Sequence, residues 1–176
     1  FVNCEKLQRH IEFIYKKGSM YKYYNNCLMF HGCIPMEKDG SFTTLNVYGD
    51  VCSGKSLFDC CERLARKGRY GEEGSEERRR GCDFMWYLWC GRFSPLSGRV
   101  VKTFERTYFA DRSTWEEPRD PYFSHTEDPA MCARVLEEFG ADVERGVIIN
   151  GHTPVHAAAG ESPVKAGGRL VVIDGG

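Results

Sequence analysis

Two short apolar runs constrain this chain most, because each stops abruptly beside a glycine and a histidine. Cys27-Leu28-Met29-Phe30 runs into His31-Gly32, and Val147-Ile148-Ile149-Asn150 runs into Gly151-His152. Continuous apolar stretches of this length ending at glycine predict strands buried in a sheet, and the second of them is also rich in β-branched residues. Leu170 to Ile173 predicts another. Glycine lets the backbone turn sharply where a strand ends, and that turn can aim an imidazole into a crevice above the sheet. Two neutral imidazoles meeting there could share a divalent ion. The plainer alternative for each histidine is a hydrogen-bonded residue that does no more than hold its turn.

The intervening chain supplies helices and connections. Asn3 is placed to cap a helix to about Lys17, with Leu7, Ile11 and Ile14 on one face and Gly18 as the stop. The Tyr- and Asn-rich residues 20–26 read as a connection, and Thr43 to Tyr48 as a strand. Leu57 to Lys67 repeats apolar residues at helical spacing. Gly68 to Gly81 is charged and glycine-flanked, which predicts a solvated, mobile segment. In Asp83 to Cys90, Phe84, Tyr87 and Leu88 share a helical face and are assigned to the core. Residues 92–126 read as a long irregular connection. Asp128-Pro129 opens a helix that runs through Phe139 and closes at Gly140. The expected fold class is mixed α/β, in one unit over residues 1–176, and Phe1 and the terminal Gly175-Gly176 read as cuts in a longer chain.

The formal net charge of -1 gives no general attraction for nucleic acid or for anionic lipid. The longest apolar stretch, Phe84 to Cys90, is too short to span a bilayer, and no secretory signal pattern is visible. The nine cysteines are odd in number and contain no C-x-x-C pair. Buried, reduced thiols in a cytoplasmic protein are therefore expected, in place of a zinc ribbon or a disulfide framework.

A second motif competes for the chemistry. Gly49-Asp50-Val51-Cys52-Ser53-Gly54-Lys55-Ser56 matches the phosphate-loop pattern G-x-x-x-x-G-K-[ST], between a strand candidate and a helix candidate. Leu170-Val171-Val172-Ile173-Asp174 resembles the apolar strand ending in the Asp that would help hold magnesium. Against this, a phosphate-loop strand is central and continuously apolar, whereas Thr44-Leu45-Asn46-Val47 alternates polar and apolar. Three functional classes stay open on the residues alone: a metal site at the histidines, a nucleotide-binding loop, and a non-catalytic interaction domain.

Longer strings carry a resemblance. His31-Gly32-Cys33-Ile34-Pro35 and Gly151-His152-Thr153-Pro154-Val155 resemble metal-ligand segments of the calcineurin-like metallophosphatases. DFMWYLWCGRFSPLSG (83–98), TFERTYF (103–109) and GESPVKAGGRLVVIDGG (160–176) are similar to the class III, Firmicutes-type fructose-1,6-bisphosphatases. The resemblance implies part of a metallophosphatase sheet sandwich flanked by helices, the C-terminal portion of its catalytic core. It also makes the phosphate-loop match a coincidence. His31 and His152 fall on metal-binding positions of the family. Asn150 and Asp174 become candidates to orient them, since a ligating imidazole usually donates its other N–H to a carbonyl or carboxylate. Arg106 and Lys165 are candidates for the second phosphate of a sugar bisphosphate. His156, beyond Pro154, is expected to point elsewhere. The family's D-x-H, G-D-x-x-D-R and G-N-H-[DE] segments do not occur here, so the bridging carboxylate is missing. By resemblance, the intact protein is a cytoplasmic homo-oligomer holding two divalent ions, manganese being expected. It would hydrolyse a sugar bisphosphate in gluconeogenesis, while this portion alone is inactive.

Overall fold

Leu28, Ile148 and Leu170 stand side by side on adjacent parallel strands, and none of the three is exposed to solvent. They come from a computed structural model that describes residues 1–174, so that Gly175-Gly176 lie outside the described residues. In chain order the elements are α1 (Glu5–Lys17), β1 (Tyr21–Tyr24), β2 (Cys27–Phe30), β3 (Leu45–Val47), β4 (Asp50–Cys52), α2 (Gly54–Tyr70), α3 (Glu76–Cys90), α4 (Pro129–Glu138), β5 (Val147–Asn150), β6 (Val164–Lys165) and β7 (Leu170–Val172). The main sheet has the order β1-β2-β5-β7-β6. Its three central strands are parallel and its two edges antiparallel. The fold is mixed α/β, with β3 and β4 forming the one further sheet among the described residues.

Burying a leucine or isoleucine side chain contributes about 1.5–3 kcal/mol. That is enough to lock the register, because a slip of one residue would exchange the Leu28 row for Met29, Ile149 and Val171. This second row is only half-buried. The strands are therefore sealed on one face, against Tyr122 and α4 residues Met131, Val135 and Leu136, and half-open on the other. Both central runs alternate in burial where burial on both faces was expected.

The residues expected to be a connection before β2 form a strand. Tyr21–Tyr24 pairs with β2 through a two-residue turn whose residues, Asn25 and Asn26, both have positive φ (49° and 60°). Asparagine tolerates that conformation, and two such residues in succession match the twist of a hairpin. The first helix begins after Cys4, which makes no side-chain cap, and Asn3 stands one position too early. Of its expected apolar face, Leu7 and Ile11 are half-buried but Ile14 is 63% exposed.

The charged segment 68–81, expected to be solvated or mobile, is mostly exposed and largely helical. α2 continues to Tyr70 and α3 starts at Glu76, capped by the Ser75 hydroxyl, which accepts from Arg78 N–H at 3.2 Å. The physical reason lies in two of its glycines, Gly68 and Gly81. A Cβ on Gly68 would stand 2.7 Å from the Gly81 carbonyl carbon, so the two helices cross backbone to backbone. The segment's charges pair locally, as in Arg80–Glu76, and with the preceding turn of α2, as in Lys67–Glu77 at 2.5 Å. Phe84 and Leu88 enter the core as expected. Residues 92–126 hold only three short 3-10 turns and one isolated bridge between Arg99 and Arg119. Asp128 caps α4 through Ala130 N–H, with Pro129 at its first turn.

Five cysteines are buried: Cys33, Cys52, Cys60, Cys61 and Cys132. Burial pushes the Cys60 and Cys132 thiols up to about 11. Neither is then a thiolate at pH 8. In native protein at that pH an alkylating reagent is expected to spare both until the chain is unfolded, as mass spectrometry of the modified peptides would record. Cys132 labelling as fast as the exposed Cys4 would contradict this. No helix among the described residues is long and apolar enough to cross a membrane.

Candidate active site

The parallel pairing of β2 with β5 places Phe30 opposite Asn150, so the residues that follow each strand emerge at the same edge of the sheet. Gly151 N–H donates to His31 O at 2.9 Å, and the Asn150 side-chain amide donates to Gly32 O at 3.1 Å. These bonds tie the two strand tips together. His31 and His152, 121 positions apart, consequently meet with Nε2 of the first 3.0 Å from Nδ1 of the second.

The turn that presents His152 is unusual. Thr153 N–H donates to Gly151 O at 2.8 Å, closing a three-residue turn around His152, whose φ is +68°. This is the rare positive-φ form of the γ-turn, and a non-glycine residue in it costs on the order of 1–3 kcal/mol. The ring is then fixed at its far side. A backbone carbonyl only accepts, so the 2.9 Å contact between His152 Nε2 and Ser97 O is an Nε2–H donation. Neutral His152 therefore carries its lone pair on Nδ1, facing His31, and receives the His31 Nε2–H. Burial lowers the His152 pKa, and the neighbouring His31 and Arg99 lower it further, against the raising effects of the Ser97 bond and Asp174.

A third segment completes the site. Ser94 is fully buried, donates its hydroxyl to Leu88 O at 2.5 Å, and accepts from Leu96 N–H at 3.2 Å. It holds the 94–98 loop against the end of α3. Cys33 N–H donates to Pro95 O at 3.0 Å, docking the loop on the β2 tip. The three segments enclose a cleft of about 490 Å³ lined by His31, Met85, Leu88, Trp89, Leu96, Ser97, Arg99, Lys102 and His152.

The other sequence candidates lie differently. Among the described residues neither Asn150 nor Asp174 hydrogen-bonds an imidazole, because the Asn150 amide goes to Gly32 O and Ser97 O takes the His152 N–H. Asp174 instead packs over Gly151, where a Cβ would stand 3.1 Å from its Oδ2. Arg106 donates to Trp115 O and does not line the cleft. Lys165 pairs with Glu127 at 2.6 Å and lines a separate cavity with His156, which is not among the residues lining the histidine cleft. The residue missed from sequence is Ser97. Its contribution is a main-chain carbonyl, which leaves no side-chain signature.

The phosphate-loop pattern does not form a phosphate cradle. Gly49 sits in the two-residue turn of the β3–β4 hairpin, and Asp50–Cys52 is extended and antiparallel to Leu45–Val47. At the start of α2 the Lys55 N–H already donates to the Glu138 carboxylate at 3.0 Å. The Lys55 ammonium turns to Asp59 at 2.6 Å.

The donor set suits a divalent ion in part. Adjacent nitrogen ligands at about 2.0–2.1 Å from a metal stand roughly 2.9–3.4 Å apart, and the 3.0 Å between the two imidazole nitrogens fits that edge. Among the described residues no group of three or more His, Cys, Asp or Glu side chains gathers as a metal site.

A mixed sheet that brings side chains from distant parts of the chain to the carboxyl ends of its parallel strands has its candidate site where α/β proteins commonly bind ligands. The chain belongs to the Firmicute fructose-1,6-bisphosphatase family, whose sequence model matches residues 1–176. A protein named fructose-1,6-bisphosphatase class 3 from Clostridium tetani (strain Massachusetts / E88) is 49% identical over 177 residues, covering 100% of this chain and 27% of the relative. Proteins of the same name from Clostridium botulinum are similar: 47% identical in strain Langeland and 48% in strain Loch Maree, each with 26% of the relative covered. The chain thus spans about a quarter of the length of the curated relatives it matches. No solved structure matches it significantly.

Proposed function

We propose that this chain is part of a fructose-1,6-bisphosphate 1-phosphatase that acts in gluconeogenesis and works by metal-assisted hydrolysis of a phosphate monoester. The observation that carries the reading is the 3.0 Å approach of His31 and His152 at adjoining strand tips. Family membership and the names of the relatives support the substrate class. His31 and His152 would hold one of two divalent ions, manganese by expectation. The remaining donors would come from D-x-H, G-D-x-x-D-R and G-N-H-[DE] segments outside this chain. When bound, such ions lower the pKa of a water from about 15.7 toward 7 and offset charge on the phosphoryl oxygens.

The chain's own residues prepare that site. Burial lowers the His152 pKa, so the ring is neutral near pH 7; its Nδ1 lone pair, which here accepts the His31 Nε2–H, would be freed for an ion once His31 carries its proton on the other ring nitrogen. Ser97 O fixes the ring orientation through Nε2–H. The strand-tip bonds keep the two rings together before any ligand arrives. Cytoplasmic location and homo-oligomeric assembly belong to the same proposal.

The test is release of phosphate from fructose 1,6-bisphosphate by the full-length protein, with manganese added and then chelated. Manganese-dependent release supports the reading, and its absence in protein loaded with manganese, zinc or iron would end it. In the same protein Lys55→Ala is expected to leave turnover unchanged. Nucleotide binding that disappears with Lys55 would restore the phosphate-loop reading.

A further inference from the structure

The cleft around the histidine pair carries two cations, and they are not equivalent. Lys102 Nζ is engaged by Glu117 Oε2 at 3.2 Å, while the other Glu117 oxygen accepts Thr103 N–H at 3.1 Å. Arg99 forms no ion pair among the described residues, and its one hydrogen bond there runs from Nη1 to Glu117 O at 3.1 Å. A guanidinium has five N–H donors in a planar fork, so most of the Arg99 donors are uncommitted. The residue is half-buried, anchored through one nitrogen, and placed two residues after Ser97, the residue that orients His152. Met85, Leu88, Trp89 and Leu96 add apolar side chains to the lining of the same cleft, with the Trp89 and Phe104 ring centroids 5.6 Å apart.

We infer that Arg99 is the residue that grips the phosphoryl group of a phosphate monoester lying between the histidine pair and the cleft's apolar side chains. The inference rests on the phosphatase reading for its location and adds the residue that recognises the dianion. A planar fork matches two phosphoryl oxygens at once, which a lysine ammonium cannot do. Because Lys102 is neutralised by Glu117, Arg99 is also the cation whose charge is free to meet an anion. The carbon skeleton of the ester would lie against Trp89 and Met85, as apolar walls with a few placed polar groups bind small molecules.

Arg99→Gln in the full-length protein provides the test, since a glutamine amide can still donate to Glu117 O but carries no charge. Titration with inorganic phosphate is expected to show affinity weakened roughly 10- to 100-fold, the size of a lost charged hydrogen bond, with KM for the bisphosphate raised by a similar factor. Arg99→Met keeps the stem length, removes the charge and gives the same reading should the glutamine variant fail to fold. Arg99→Lys is expected to recover only part of the loss, because it restores charge without the fork. Unchanged phosphate affinity in the uncharged variants overturns the inference. Failure of the underlying phosphatase reading has a different signature, namely wild-type protein that holds no divalent metal and releases no phosphate.

Discussion

Alanine in place of His152 in the full-length protein is expected to lower metal-dependent phosphate release by at least about 100-fold. Even residues that only orient a metal ligand cost 10- to 100-fold when replaced, and His152 would be a ligand itself. The substitution removes the Nδ1 lone pair that faces His31 and the Nε2–H that Ser97 O accepts. It leaves the buried Leu28, Ile148 and Leu170 row untouched, so secondary structure by circular dichroism should be retained. Bound manganese per chain should fall together with activity. Full metal content and full turnover in the variant would show that the ring serves its turn alone.

The second large effect is expected at Gly32→Val, beside the first histidine. A Cβ at this position would overlap the Pro95 carbonyl oxygen, which is main chain and cannot swing aside. Relief requires the 94–98 loop to lift from the β2 tip, breaking the Cys33–Pro95 bond. Overpacking of about 1–3 kcal/mol and a lost hydrogen bond of about 1 kcal/mol together predict a destabilisation of roughly 2–4 kcal/mol. The displaced loop carries Ser97 and leads directly into Arg99, so catalysis should fall as well as the melting midpoint. A melting midpoint within about a degree of wild type, with unchanged KM, would show that the contact yields freely.

What could be read from sequence divides along a physical line. Central strands, α4 and its Asp128 cap, and the convergence of His31 and His152 were legible, because local pattern and a parallel sheet leave few arrangements. The Tyr21–Tyr24 strand was not, since its polar side chains look like a loop and only the Asn25-Asn26 pair signals the hairpin. The helical hairpin over 54–90 was missed in its middle, where two glycines that weaken a helix locally are the surfaces on which the helices touch. Arg99 escaped notice because its distinction lies in the carboxylate it lacks, and pairing between side chains is a tertiary property.

The positive φ at His152 sets conformational comfort against purpose at a single position. Glycine would occupy that backbone geometry without steric penalty, so folding alone would favour removing the imidazole. The molecule keeps a residue that its own backbone disfavours, and the cost falls on every copy that folds, with or without a ligand. What is gained is a ring already facing its partner, so that a binding event need spend nothing on turning it.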